Sequence, residues 1–248
     1  MNKEYTVLSN TLIAYKTYQM VLKGDTSDIN KPGQFINIKI DDSYQNFLRR
    51  PISISEYTEG RITIIYKIFG EGTKRLAKKK MFDRLDILSP LGNGFTVNQE
   101  HKKQLLIGGG VGVPPLLGVA QELYKENIKF DVVLGFNSKY DVFLEGMFRS
   151  LGANVYVATM DGSYGYKGNV IDVIRELDIS FDYYYACGPE KMLHALVQEE
   201  YIGQLSFEER MGCGFGACMG CSHKTLTSYK RICKEGPVLE SSEVYISA

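Results

Sequence analysis

Four of the five cysteines in this 248-residue chain fall between Cys213 and Cys233, in the order C-x4-C-x2-C-x11-C. An odd total, with most thiols crowded into one short stretch, is a poor layout for disulfides that staple a whole fold and a good one for local metal chemistry. Glycines and alanine fill the gaps: Gly212, Gly214, Gly216, Ala217 and Gly220. Small residues let a loop wrap closely around an inorganic core and turn its amides toward sulfur. The C-x4-C-x2-C…C order is that of plant-type [2Fe-2S] loops, so Cys213, Cys218, Cys221 and Cys233 are the candidate ligands. A structural zinc site is the alternative, although zinc usually draws on paired C-x2-C knuckles.

The rest of the chain divides by pattern. From Lys3 to about Val97, short β-rich runs alternate with turn signals: YTVLSN, TLIAYKTYQMVL, QFINIKI, PISISEY, RITIIYKI and RLDILSPL. Only GTKRLAKKK, from Gly72, reads as a short helix, and an antiparallel barrel or sandwich follows. From residue 98 the character changes. QLLIGGG, KFDVVLGF, ANVYVAT and DYYYACG read as buried strands, and PPLLGVAQELYKE, VFLEGMFRSL, NVIDVIREL and PEKMLHALVQEE as helices between them. Strand and helix in alternation imply a parallel sheet. The expected units are 1–97, 98–204 and a small cysteine module, 205–248, with little capacity for a core of its own.

Twenty-nine basic residues balance 29 acidic ones, which leaves no basic field for nucleic acid. The start MNKEYTVLSN has neither the charged region nor the apolar stretch of a secretory signal, and no run approaches the length of a membrane span, so a cytoplasmic protein is expected.

Leu105 to Pro115 runs from an apolar strand through Gly108, Gly109, Gly110 and Gly112 into a helix that opens with proline. Such a βα turn brings free amides close to a diphosphate. Proline stands where the G-x-G-x-x-G pattern has its last glycine, and an ordinary tight turn would look similar. The following strand ends Gly135-Phe136-Asn137-Ser138-Lys139, without the acid of a standard NAD fingerprint and without an arginine cluster for a 2′-phosphate, which leaves NAD and NADP both open. In the first unit, Arg49-Arg50-Pro51-Ile52-Ser53 and Tyr66 to Thr73 supply an arginine for a flavin diphosphate, a serine for an isoalloxazine edge, and Gly72-Thr73 at a helix start for a second phosphate. A surface arginine pair beside a Gly-Glu-Gly turn reads equally well.

Three motifs together resemble the ferredoxin–NADP reductase superfamily: Arg-x-x-Ser at Arg50 to Ser53, GGGxGxPP at Gly108 to Pro115, and Cys187-Gly188-Pro189. Within it, Glu-Arg-Met-x-Cys-Gly-x-Gly-x-Cys-x-x-Cys at Glu209 to Cys221 resembles the electron-transfer subunits of NAD-dependent, class 1B dihydroorotate dehydrogenases. The resemblance spans nearly the whole chain. It implies an α+β and α/β multidomain protein with an antiparallel β-barrel flavin domain, a parallel-sheet nucleotide-binding domain and a small C-terminal [2Fe-2S] module. It further implies FAD, though an FMN could use the same arginine, together with NAD and an FMN-containing catalytic partner in a heterotetramer of pyrimidine biosynthesis. Flavin contacts carried over by motif are Arg50, Pro51, Ile52, Ser53, Ile65, Tyr66, Lys67, Gly72 and Thr73. No acid–base dyad is required: Cys187 and Glu209 are left without a catalytic role, and His101, His194 and His223 are too scattered for a histidine site. A related NAD(P)H- or sulfide-linked iron–sulfur flavoprotein subunit with a different partner would share these modules. A zinc-containing, non-catalytic binding module would share the scaffold.

Overall fold

The computed structural model describes residues 2–41, 43 and 46–246. Six strands, β1 (Asn2–Ala14), β2 (Thr17–Lys23), β3 (Phe35–Ile38), β4 (Arg50–Thr58), β5 (Arg61–Lys67) and β6 (Arg84–Leu91), close into a barrel in the order β1-β2-β5-β4-β3-β6. Period-two patterning drives closure: in β6, Leu85, Ile87, Ser89 and Leu91 are buried and the residues between them are not. Tyr5, Met20, Ile36, Ile38, Ile64 and Ile87 are among the side chains that fill the interior. The runs YTVLSN and TLIAYKTYQMVL do not coincide with strands: β1 runs unbroken through Asn10 to Ala14, and the chain turns at Lys16, whose φ is +55°. The helix α1 (Glu71–Leu76) sits between β5 and β6 and is shorter than its basic sequence suggests.

The second unit is a seven-stranded sheet. β7 (Gln104–Gly109), β8 (Phe130–Phe136), β9 (Asn154–Thr159), β10 (Tyr166–Lys167), β11 (Tyr183–Cys187), β12 (Gly203–Ser206) and β15 (Val238–Glu240) lie in the order β10-β9-β8-β7-β11-β12-β15. All pairs are parallel except β15, which returns antiparallel to β12. Side chains of α2 (Val113–Lys125) and Phe148 of α3 (Glu145–Ser150) cover one face of the sheet. Those of α4 (Val170–Glu176) and α5 (Glu190–Gln198) cover the other. Strand order reverses between β7 and β11, which opens a crevice at their carboxyl ends, the usual ligand position in doubly wound sheets. At Gly118 the helix α2 lies so close to Pro32 that a Cβ would meet its ring carbon at 2.9 Å, and Gln121 Nε2 donates to Glu56 Oε1 of β4 at 2.6 Å. These contacts fix the sheet against the barrel.

The cysteine segment differs from expectation in having a core. Leu205, Phe207, Cys221, Ile232, Cys233, Leu239 and Val244 pack with Phe35 of the barrel and with Leu105 and Ile107 of the sheet. Strand β12 carries residues from both sides of the expected 204/205 division, and β15 extends the same sheet. A two-stranded ribbon, β13 (Ser222–Lys224) with β14 (Tyr229–Arg231), carries the chain from Cys221 back to Cys233. The turn after β6 clamps the segment: Asn93 Nδ2 donates to the carbonyls of Glu235 and Val238 at 3.1 and 2.8 Å, and its Oδ1 accepts from Val238 N at 3.1 Å. Among the described residues no helix is long and apolar enough to cross a membrane.

Candidate functional site

Two cavities meet where barrel, sheet and cysteine segment join. The smaller, about 230 Å³, is walled by Arg50, Pro51, Ile52 and Ser53 of β4, by Ile65, Tyr66 and Lys67 of β5, and by Thr73. From the other side come Cys187, Phe207, Glu208 and Met211. The larger, about 780 Å³, lies at the carboxyl ends of β7, β8 and β11 and is lined by Gly109, Gly110, Gly112, Asn137, Gly188 and Lys191, among others. Lys67, Phe69, Val111 and Glu208 line both, so the two spaces adjoin at these four side chains.

The residues of the barrel motif stand together along one wall of the smaller cavity. The Arg50 guanidinium packs so closely on Gly72 that a Cβ there would overlap it, and Arg50 Nη2 donates to Asn46 Oδ1 at 3.2 Å. A fixed positive charge therefore stands beside Gly72 and Thr73. Tyr66 plays a different part from its neighbours. Its ring belongs to the barrel core, stacked on Tyr18 at 5.9 Å with its hydroxyl donating to Asn10 Oδ1 at 2.8 Å, and any ligand contact falls to its main chain. Burial pushes its phenol well above the ordinary range.

In the glycine-rich turn, Gly110 has φ +54°, and a Cβ on Gly112 would overlap the Cys187 carbonyl. Two backbones thus come together where the crevice opens, which only glycine permits. Gly108 is not among the lining residues: it stands back on β7, where its missing Cβ makes room for Val113 and Leu116. The Cys187 thiol is fully enclosed, and burial, with the Glu208 carboxylate adding to it, pushes it up to about 12. Desolvation by the cavity wall also raises the Glu208 carboxyl, although the residue as a whole is exposed. Across the seam, Lys67 Nζ meets Asp141 Oδ1 at 2.7 Å with both side chains largely buried, and Asp141 Oδ2 accepts from Ser138 Oγ at 2.9 Å.

The four clustered cysteines carry free thiols arranged as two pairs. Cys213 and Cys218 each accept from two amides: Ala217 N and Cys218 N donate to Cys213 Sγ at 3.2 and 3.4 Å, while Cys213 N and Gly220 N donate to Cys218 Sγ at 3.4 Å. Cys233 N donates to Cys221 Sγ at 3.4 Å, and the two thiols face each other. Among the described residues no three His, Cys, Asp or Glu side chains converge on a single metal ion. Burial opposes the Cys213 thiolate, but amides of Phe215, Cys218 and Ala217 and the Cys218 thiol outweigh it and bring the group down to about 6. Burial and then the facing Cys221 push Cys233 up to about 12. An amide-lined set of four thiols in two pairs suits a binuclear centre that takes two sulfurs from each pair. Glu209 Oε1 accepts from His223 Nδ1 at 3.1 Å, and that imidazole packs on Phe207 at 4.7 Å, so the cysteine ribbon touches the wall of the smaller cavity.

Sequence reasoning missed Phe69, Val111, Asp141, Glu208 and Met211. Glu208 and Met211 had a signal, since Glu208 immediately precedes the motif that begins at Glu209 and Met211 is its third residue. Asp141 had none, because only the packing of sheet on barrel brings it to Lys67.

Residues 208–245 match the model of the iron–sulfur cluster binding domain of dihydroorotate dehydrogenase B. The chain is 47% identical over 98% of its length to the dihydroorotate dehydrogenase B (NAD(+)) electron transfer subunit of Fusobacterium nucleatum subsp. nucleatum, and covers 98% of that protein. It is also 47% identical to the Bacillus velezensis electron transfer subunit, over 96% of this chain and 97% of the other. Among solved structures, a NADH-dependent reduced ferredoxin–NADP oxidoreductase described for flavin-based electron bifurcation superimposes with a TM-score of 0.87 at 26% identity, over 97% of this chain and 89% of that one. Phthalate dioxygenase reductase shares the fold, with a TM-score of 0.64 at 14% identity over 91% of this chain and 87% of that one. Likeness at this level runs through barrel, sheet and cysteine segment alike, and the chain belongs to the family of dihydroorotate dehydrogenase B (NAD(+)) electron transfer subunits.

Proposed function

We propose that this chain is the electron-transfer subunit of an NAD-dependent dihydroorotate dehydrogenase: it takes electrons from the FMN of a catalytic partner through a [2Fe-2S] centre and FAD to NAD+ in pyrimidine biosynthesis. The observation that carries this reading is the adjacency of the two cavities across the shared Lys67, Phe69, Val111 and Glu208, with the cysteine segment forming part of the wall. When bound, the iron–sulfur centre supplies one-electron transfer and the flavin exchanges between single electrons and hydride.

The residues present fit these groups. Cys213, Cys218, Cys221 and Cys233 would hold the centre, with amides already turned to their sulfurs. Arg50 would neutralise the FAD diphosphate beside Gly72 and Thr73, while Pro51, Ile52, Ser53, Ile65, Tyr66 and Lys67 would border the ring system. Gly109, Gly110 and Gly112 would admit the NAD diphosphate to the crevice, Lys191 offers it a cation, and Gly108 supports the turn from behind. The Cys187 thiol, raised to about 12 by its burial, stays protonated at neutral pH and puts no charge against the flavin. Functional units 1–97, 98–204 and 205–248, the second and third joined through β12, a heterotetramer of two of each subunit and a cytoplasmic location complete the proposal.

Anaerobic co-purification with the catalytic subunit tests it. About two iron, two sulfide and one FAD per chain are expected, with dihydroorotate-dependent NADH formation only when both subunits are present. Stoichiometric zinc in place of iron, or NADH formation independent of this chain, would sink the proposal.

A further inference from the structure

Strand β3 reads Phe35-Ile36-Asn37-Ile38, and all four side chains are buried. Ile36 and Ile38 enter the barrel core, whereas Phe35, on the other face, packs in the cluster that contains Cys221 and Cys233. Asn37 shares that outward face by the alternation of the strand. It is 1% exposed, and neither Nδ2 nor Oδ1 has a hydrogen-bond partner. Gly214, between Cys213 and Phe215, lies directly over it at φ +79°: a Cβ there would overlap Asn37 Nδ2.

A buried carboxamide with both ends unsatisfied is rare and costly, and an apolar side chain of the same size would fill the place without that cost. The amide donors that reach the cysteine sulfurs all come from the segment itself. Asn37 adds a free N–H pair approaching the same loop from the barrel, next to the Cys213 end, where the centre brings reduced sulfur with acceptor capacity. Resting on the reading of the four cysteines as [2Fe-2S] ligands, we infer that Asn37 is a barrel-borne positioning residue for the iron–sulfur centre, its Nδ2 donating a hydrogen bond to sulfur at the Cys213 end of the loop. Such a donor favours the more negative, reduced state and so raises the potential of the centre. It also links the centre to the strand whose Phe35 pairs with Ser53 of the flavin cavity.

The test is pulsed EPR on the reduced full chain, co-purified with its catalytic partner and labelled with [15N]asparagine. Wild type is expected to show a 15N coupling to the centre that disappears in Asn37→Leu. In the same variant, and in Asn37→Ala, the oxidised-to-reduced ratio of the centre at a fixed ambient potential should rise about three- to tenfold, with the flavin ratio unchanged. A merely space-filling Asn37 would leave both readouts where they are. The labelled wild-type spectrum needs no variant to fold. Iron and sulfide assays on the same sample separate the failures. A chain with its full iron and sulfide but no 15N coupling overturns this inference alone. A chain without iron overturns the reading of the cysteines and this inference with it.

Discussion

The cysteine loop and the paired cavities are built in opposite ways. The loop draws its four ligands from one stretch, Cys213 to Cys233, so side-chain identity and spacing nearly suffice to define it. The smaller cavity takes its wall from Phe35, β4, β5, Thr73, Val111, Cys187, the 206–211 stretch and Pro237, positions that only folding brings together. A site held by strong, short-range ligation can be written locally. A site that must hold an extended planar or dinucleotide ligand needs several walls, and the chain supplies them wherever its topology passes.

The sharpest contrast would come from Cys233→Ser. The thiol is buried, and its loss removes a ligand that local spacing alone identifies; iron content and dihydroorotate-dependent NADH formation are expected to vanish while FAD stays bound. Retention of a full iron complement would break the contrast, because it would mean that the loop is not self-sufficient in ligands.

Gly112→Ala probes the cavity side. The added methyl would overlap the Cys187 carbonyl, which costs about 1–3 kcal/mol of stability and should weaken NADH binding about tenfold with iron content unchanged. Calorimetric NADH titration together with iron assay separates the two effects, and equal loss of both would show that the sites are not independent.

Lys67→Met should cost about 2 kcal/mol by leaving Asp141 partly buried without its cation, and the double variant Lys67→Met/Asp141→Asn should recover part of that loss. Urea denaturation of the four members of this cycle gives the coupling between barrel and sheet; simple additivity would show that the bridge does not join them.

The smallest effect concerns Glu208. Although the residue is exposed, the cavity wall desolvates its carboxyl and raises the folded pKa, so the ionised form is disfavoured in the native state. Its contribution to stability is full below the unfolded value and is lost as pH rises through the folded one. Glu208→Gln is therefore expected to melt at a higher temperature than wild type at pH 7–8, with the difference closing as pH falls below about 4.5. A Tm difference independent of pH would remove Glu208 from the titrating groups of the cavity.

By itself the sequence determined what local chemistry and periodicity can carry. Alternating residues in β6 and the strand–helix rhythm after residue 98 specify the two kinds of sheet, because backbone geometry imposes those periods. Cysteine spacing specifies the loop, and the Arg50 and Gly110 motifs specify where phosphate-seeking groups stand. Tertiary structure decided the rest. That β1 runs through Asn10 to a turn at Lys16 depends on how it pairs with β2 and β6. The core of the cysteine segment appears only when Ile232 and Leu239 meet Phe35 and Leu105. Tyr66 turned its ring into the barrel, Gly108 withdrew behind the turn, and Asp141 reached Lys67, each fixed by contacts between segments far apart in the chain. Pair energies of that kind depend on three-dimensional neighbours, which a linear pattern does not contain.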